Sequence, residues 1–226
     1  MNFTLTDEQR ALQDSVRQFA QRELPDIARQ IEESDEPPSQ ELRKRFAELG
    51  YLGVNLPTEY GGGGMSHFDA VLVLEELAKI SIAVAFPIFE SCFGPTLAIA
   101  HFGSEAMKQR VLPKVCAGEM VVAVAMSEPG AGSALTDLTT QVRRDGERLL
   151  LNGNKRWSSG AGHSEAYIVY SRMDDSPGAK SIGAVLVEKG ATGFTFGKRD
   201  HHMGFRGVYS ADMYFDDVEI NDADIL

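Results

Sequence analysis

The apolar residues of this chain change period once, near residue 118, and that change limits the folds open to it. Before it they recur at helical spacing. Thr6-Asp-Glu-Gln9 matches a capping box, in which a hydroxyl and a side-chain amide satisfy N–H groups at a helix start. Leu12, Val16 and Phe19 continue that helix, and Pro25 ends or bends it. Ser34 to Pro38 is a polar, proline-containing break. Ser39 is placed to cap a second helix through Leu42, Phe46 and Leu49, closed by Gly50. Leu52 to Gly64 reads as a loop whose glycines at 61–64 form a flexible or tight connection; no Gly-Lys-Ser/Thr follows, so it is not a phosphate loop. Ser66 can cap a third helix with Phe68, Leu72, Glu75 and Leu77. A further apolar helix runs from Ile82 to His101, interrupted near Pro87 and Gly94-Pro95, and Ser104 caps a last one that ends near Gly118.

From Glu119 onward short β-rich runs alternate with turn signals: Val121–Met126, Leu138–Arg144, Arg148–Leu151, Lys155–Ser158, Ala166–Ser171, Ile182–Glu188, Phe194–Gly197 and Ala211–Phe215. Asp145-Gly146 and Asn152-Gly153 read as hairpin turns, because both dipeptides suit positive φ. Met173 to Ala179 is a solvated loop. The pattern predicts an α+β protein, with an N-terminal α-helical domain over 1–118 and an antiparallel β-sandwich or barrel-like domain over 119–226. Helices followed by strands, without βαβ alternation, argue against a dinucleotide-binding Rossmann fold.

A hydrophobic fraction of 43% and a charged fraction of 24% are ordinary for a globular protein. The net charge of −11 repels nucleic acid and anionic membranes, so neither is expected as a partner. Any anionic ligand then needs local cations or backbone N–H groups. Cys92 and Cys116 read as small buried hydrophobes in a reducing compartment. His67, His101, His163 and the neighbours His201 and His202 lack metal-ligand spacing, and no metal is expected. Asp7 and Glu8 with no apolar core argue against a signal peptide, and the apolar runs read as too short to span a bilayer. A cytoplasmic protein is expected.

Two segments invite chemistry. Val122 to Ser133 is a strand running into Ser127-Glu-Pro-Gly-Ala-Gly-Ser133, small residues that let backbone approach a flat ligand and aim N–H groups at an oxygen or phosphate. An ordinary strand-to-turn segment fits the same residues. Leu151 to Gly160 carries Trp157, the only tryptophan, followed by Ser158 and Ser159. That tryptophan either packs in a core or flanks a ring system whose heteroatoms bond to the adjacent hydroxyls and N–H groups.

Taken in order and at this spacing, the segments resemble the acyl-CoA dehydrogenase family over the whole chain. Ala125-Met-Ser-Glu-Pro-Gly-Ala-Gly-Ser133 is similar to its first flavin signature and Asn152-Gly-Asn-Lys-Arg-Trp-Ser-Ser159 to its second. Lys198-Arg-Asp-His-His-Met-Gly-Phe-Arg-Gly207 and Phe215-Asp-Asp-Val218 are similar to the end of its middle β domain. The resemblance implies the first two domains of that fold and FAD as cofactor. It places Val124, Ala125, Met126, Ser127, Gly132, Ser133, Trp157, Ser158 and Ser159 at the cofactor, with Ser133 also on the substrate side. It implies an acyl-CoA substrate, α,β-dehydrogenation, fatty acid metabolism, reoxidation by electron-transfer flavoprotein or a similar acceptor, and a homo- or hetero-oligomer. Glu128 is a loop residue by this resemblance; the base is a Glu from a third, helical domain not contained in these residues, so no catalytic residue is expected here. Exposed apolar surface is expected where that domain would pack. The sequence departs from the family pattern at Ala134, usually Asp, at Ser127 and Ser159, usually Thr, and at Ser158 and Gly160, usually Ile and Asn. A flavin-dependent monooxygenase on the same scaffold and a non-catalytic, complementing subunit of a hetero-oligomer are the alternatives.

Overall fold

The structure is a computed structural model, and it describes residues 4–226. Its contacts divide into two compact units. One comprises the chain up to Phe93 with Leu112–Glu119 and His202–Val208; the other comprises Gly94–Val111, Met120–His201 and Tyr209–Leu226.

The first unit is helical. Helix α1 (Asp7–Glu23) begins with both bonds of the expected capping box, Gln9 N donating to Thr6 Oγ1 at 3.2 Å and Thr6 N to Gln9 Oε1 at 3.1 Å. Pro25 sits in the first turn of α2 (Pro25–Ser34), where its missing N–H costs nothing. Ser39 caps α3 (Gln40–Glu48), and Gly50 follows at φ 71°. The glycines at 61–64 make a tight connection. A Cβ on Gly62 would lie 2.3 Å from the Leu56 carbonyl oxygen, and Gly63 N donates to Gly53 O at 2.9 Å. Ser66 and Asp69 form a second capping box at the start of α4 (His67–Ala78). The core gathers Val16, Phe19, Phe46, Val73, Leu77, Val84 and Ile88. Met65, just before α4, and Phe68 and Val71 on it remain 43%, 50% and 43% exposed.

Helix α5 (Ile82–Cys92) runs through Pro87 without the expected interruption. Ala83, Val84, Ala85, Pro87 and Ile88 are all buried, and their packing outweighs the one backbone bond the proline removes, about 3 kcal/mol. The break comes at Gly94, before α6 (Pro95–Phe102). Ile82–Phe102 has the length and composition to cross a membrane, contrary to the reading of its runs as too short, but 61% of its most apolar window is buried within the protein. Helix α7 (Glu105–Cys116) is capped by Ser104 and ends before Gly118 at φ 70°. Cys92 and Cys116 are free and buried, and burial pushes the Cys116 thiol up to about 11.

The second unit carries one mixed sheet of seven strands: β1 (Val122–Ala125), β2 (Gln141–Asp145), β3 (Arg148–Ser159), β4 (Ala166–Arg172), β5 (Ile182–Glu188), β6 (Phe194–Phe196) and β7 (Ser210–Ile220). Antiparallel pairing dominates, but β1 pairs in parallel with β4 over Val122↔Ala166 to Ala125↔Val169, and β2 meets β4 in parallel at Gln141↔Arg172. The run Ala166-Tyr-Ile-Val169 is buried throughout, as a strand paired on both edges and covered on both faces must be. Asp145-Gly146 makes the expected hairpin, with Gly146 at φ 62°.

Asn152-Gly153 does not turn the chain. The two runs expected on either side of it are one strand, β3, with register shifts against β7 between Leu151 and Gly153 and between Lys155 and Ser158. The turn-forming dipeptide serves a bulge instead. Gly153 takes φ 139° where a Cβ would lie 2.6 Å from Thr140 Cα, and Asn152 exchanges two hydrogen bonds with Asp217, at 2.9 and 3.0 Å.

Candidate functional site

β1 ends at Ala125, and the chain leaves it as a loop rather than a hairpin. Ala125 is buried, Val124, Met126 and Ser127 are half-buried, and Gly132 and Ser133 are exposed beyond a tight turn in which Glu128 and Ala131 exchange backbone bonds. Cβ atoms added at Gly130 or Gly132 would meet nothing within 4 Å. The outer side of this turn is therefore open space.

β3 supplies the second wall. At its bulge Trp157 adopts φ 55°, a left-handed conformation that costs a non-glycine residue about 1–2 kcal/mol, and its indole is 61% exposed. A large aromatic side chain held in a strained conformation and turned outward is not packing the core, which removes one of the two readings open for it. The Arg156 guanidinium lies over the ring at 5.2 Å. Ser158 points inward; its Oγ is buried and has no hydrogen-bond partner among the described residues. Ser159 is half-buried.

The two motifs are joined. Arg156 N donates to Ser127 O at 2.9 Å, and Lys155 Nζ donates to Met126 O at 3.0 Å. Lys155 also pairs with Glu128 Oε1 at 2.9 Å, with both side chains inside the unit. Glu128 accepts further bonds from Thr139 N, Thr139 Oγ1 and Thr140 N, at 2.6, 2.8 and 2.9 Å. Burial alone would raise its carboxyl, but the bonds from Thr140, Thr139 and Lys155 outweigh it and hold the group at about 2. Burial pushes the Lys155 ammonium down, against the pull of Glu128. A carboxylate so saturated with donors cannot serve as a base near neutral pH, in keeping with its reading as a loop residue.

Sequence reading did not find Lys155, Thr139 and Thr140 as parts of this arrangement. One signal was present: strand alternation places Lys155 on the same face as the buried Leu151. Nothing in the sequence marks Thr139 and Thr140, because their role depends on where Glu128 folds. The histidines stand apart from the site. His67 Nδ1 lies 2.6 Å from Asn55 Nδ2, and the His163 ring meets Tyr209 at 5.7 Å. Among the described residues no group of three His, Cys, Asp or Glu side chains could hold a metal ion. The segment His202–Val208 packs in the helical unit, where Arg206 Nε donates to Glu32 O at 2.7 Å and Gly207 N to Asp35 Oδ1 at 2.9 Å.

A helical unit, a mixed-sheet unit and two clamped small-residue motifs define a class of protein, and comparison with known proteins gives the same class. Residues 6–119 match the family model for the acyl-CoA dehydrogenase N-terminal domain, and residues 123–218 match that for the acyl-CoA dehydrogenase middle domain. The chain belongs to the acyl-CoA dehydrogenase family. It is 35% identical to mitochondrial isovaleryl-CoA dehydrogenase of Pongo abelii, over 98% of this chain and 53% of that protein. It is 38% identical to a 3-sulfinopropanoyl-CoA desulfinase of Paraburkholderia xenovorans, over 96% of this chain and 56% of that protein. Its fold is similar to a glutaryl-CoA dehydrogenase from Mycobacterium smegmatis solved in complex with FADH2, with a TM-score of 0.89 at 27% identity over 98% of this chain and 55% of the other. The chain thus spans about half the length of the relatives it matches.

Proposed function

We propose that these residues form the FAD-binding and substrate-facing part of an enzyme that dehydrogenates an acyl-CoA thioester between its α and β carbons. One observation carries the reading: the buried Lys155–Glu128 pair joins the two motifs, and beside that junction a strained bulge displays the Trp157 indole. The donor set fits a flavin. It offers an aromatic face, hydroxyls on Ser127 and Ser159, a buried Ser158 hydroxyl without a partner among the described residues, and open space at Gly130 and Gly132. The FADH2 bound by the mycobacterial relative supports the same cofactor.

In this reading main chain from Val124 to Ser127 and the Ser127 hydroxyl hold the ring, and Trp157 covers one of its faces. Ser158 and Ser159 meet its polar edge, and Gly132 and Ser133 lie at the phosphates, with Ser133 also toward the thioester. When bound, FAD supplies a two-electron acceptor for the hydride of the substrate β carbon. The residues of this chain bind and orient; they do not take the α-proton, because Glu128 is spent on its four donor contacts. That proton goes to a carboxylate outside this stretch, on a further segment or a partner chain. The names of both relatives specify a CoA thioester, which supports that substrate class, in keeping with a place in fatty acid metabolism. Reoxidation by electron-transfer flavoprotein or a similar acceptor, assembly into an oligomer and a cytoplasmic location complete the proposal.

The test is anaerobic titration of the FAD-loaded chain with isovaleryl-CoA and 3-sulfinopropanoyl-CoA. The expected result is a shifted flavin spectrum without bleaching. Bleaching by the purified chain alone would overturn the placing of the base elsewhere. Failure to take up FAD would overturn the whole reading.

A further inference from the structure

Lys155 is 0% exposed, a position lysine almost never occupies without a partner. Among the described residues its ammonium bonds only to the first motif, at Met126 O and Glu128 Oε1. Glu128, 3% exposed, passes the connection to a third segment through the amides of Thr139 and Thr140. Thr140 Oγ1 returns it to β3 by donating to Asn154 O at 3.1 Å. Residues 126–128, 139–140 and 154–156 are thereby closed into a ring around one buried ion pair. Such a pair contributes little net stability over apolar side chains of the same volume. Apolar side chains would fill the space, but they could not hold the Met126 carbonyl or the amides of Thr139 and Thr140.

We infer that Lys155 and Glu128 are positioning residues of the cofactor shelf, fixing the Met126–Ser127 main chain against the Trp157 bulge so that polar edge and aromatic face meet FAD in one register. The inference rests on the flavin reading above. Neither residue is assigned a contact with the cofactor; both act through the main chain of Met126 and Ser127 and through β3.

The experiment compares the wild-type chain with E128L/K155M, which removes both charges together, and with T139V, which removes only the bond from the Thr139 hydroxyl to Glu128. Two quantities are read: FAD affinity, and hydrogen exchange of the Arg156 amide, whose bond to Ser127 O joins the motifs. The expected result is FAD binding at least about tenfold weaker in a folded E128L/K155M and about threefold weaker in T139V, with faster Arg156 exchange in each. A structural role alone would restore both readouts once the two charges are removed together. A folded double variant with wild-type affinity and exchange overturns the inference, and so does a T139V chain unchanged in both. T139V keeps the test decisive if the double variant does not fold. If the wild-type chain takes up no FAD, the flavin reading falls, and the Arg156 amide alone decides whether the clamp exists.

Discussion

Glu128 shows how a residue's chemistry follows from its surroundings. In sequence it sits between two serines of a loop and invites a catalytic assignment; in the fold it accepts hydrogen bonds from two other segments, at residues 139–140 and at Lys155. Its folded pKa, about 2, lies below the unfolded value of 4.5. The unfolded state therefore binds the proton first as pH falls. The stabilisation is fully present above about pH 5, declines between about 4.5 and about 2, and is gone below, a loss of about 3 kcal/mol. Urea denaturation of the wild-type chain and of E128Q across that range checks this: the wild type loses stability there, and the variant's profile is flatter. K155M strands the carboxylate without its cation and is expected to cost about 3 kcal/mol or more in the same assay at neutral pH. Trp157 permits a sharper separation. W157G relieves the left-handed strain and forfeits little burial, so its stability stays within about 1 kcal/mol of wild type, while FAD binding weakens about tenfold. Equal affinity for the two chains would show that the indole is not part of the shelf. At this scale the sequence exposed the small residues and the tryptophan. It could not expose Thr139 and Thr140, since their part depends on a contact made across eleven and twelve residues of chain.

At the level of elements, local rules served best where the partner is local. The Thr6 capping box, the Ser39, Ser66 and Ser104 caps and the Gly146 hairpin stand where the residues put them. They fell short where tertiary contacts decide. Pro87 is carried inside α5 by packing, β1 and β2 find β4 in parallel, and Asn152-Gly153 is drawn into β3 by the bonds of Asn152 to Asp217. The glycine of that dipeptide carries a prediction. G153A must accept φ 139° and a Cβ 2.6 Å from Thr140 Cα, and is expected to destabilise the chain by about 3 kcal/mol in chemical denaturation. Because Thr140 also contacts Glu128, the same variant should speed exchange of the Arg156 amide.

For the whole molecule, the question is what a stretch covering about half of its relatives does by itself. The α+β plan, helices first and sheet second, was legible from the change of hydrophobic period, and the family from the order of its motifs. The chain's central property in this account is a preformed shelf for FAD, built from two motifs and held by one buried ion pair. Trp157 is the only tryptophan and stands on that shelf, so its emission reports on the site alone. The decisive measurement is titration of the chain with FAD while following that emission. The account predicts saturable quenching that ends at one FAD per chain. Emission that declines without saturation, at FAD concentrations where the chain remains folded, would contradict it.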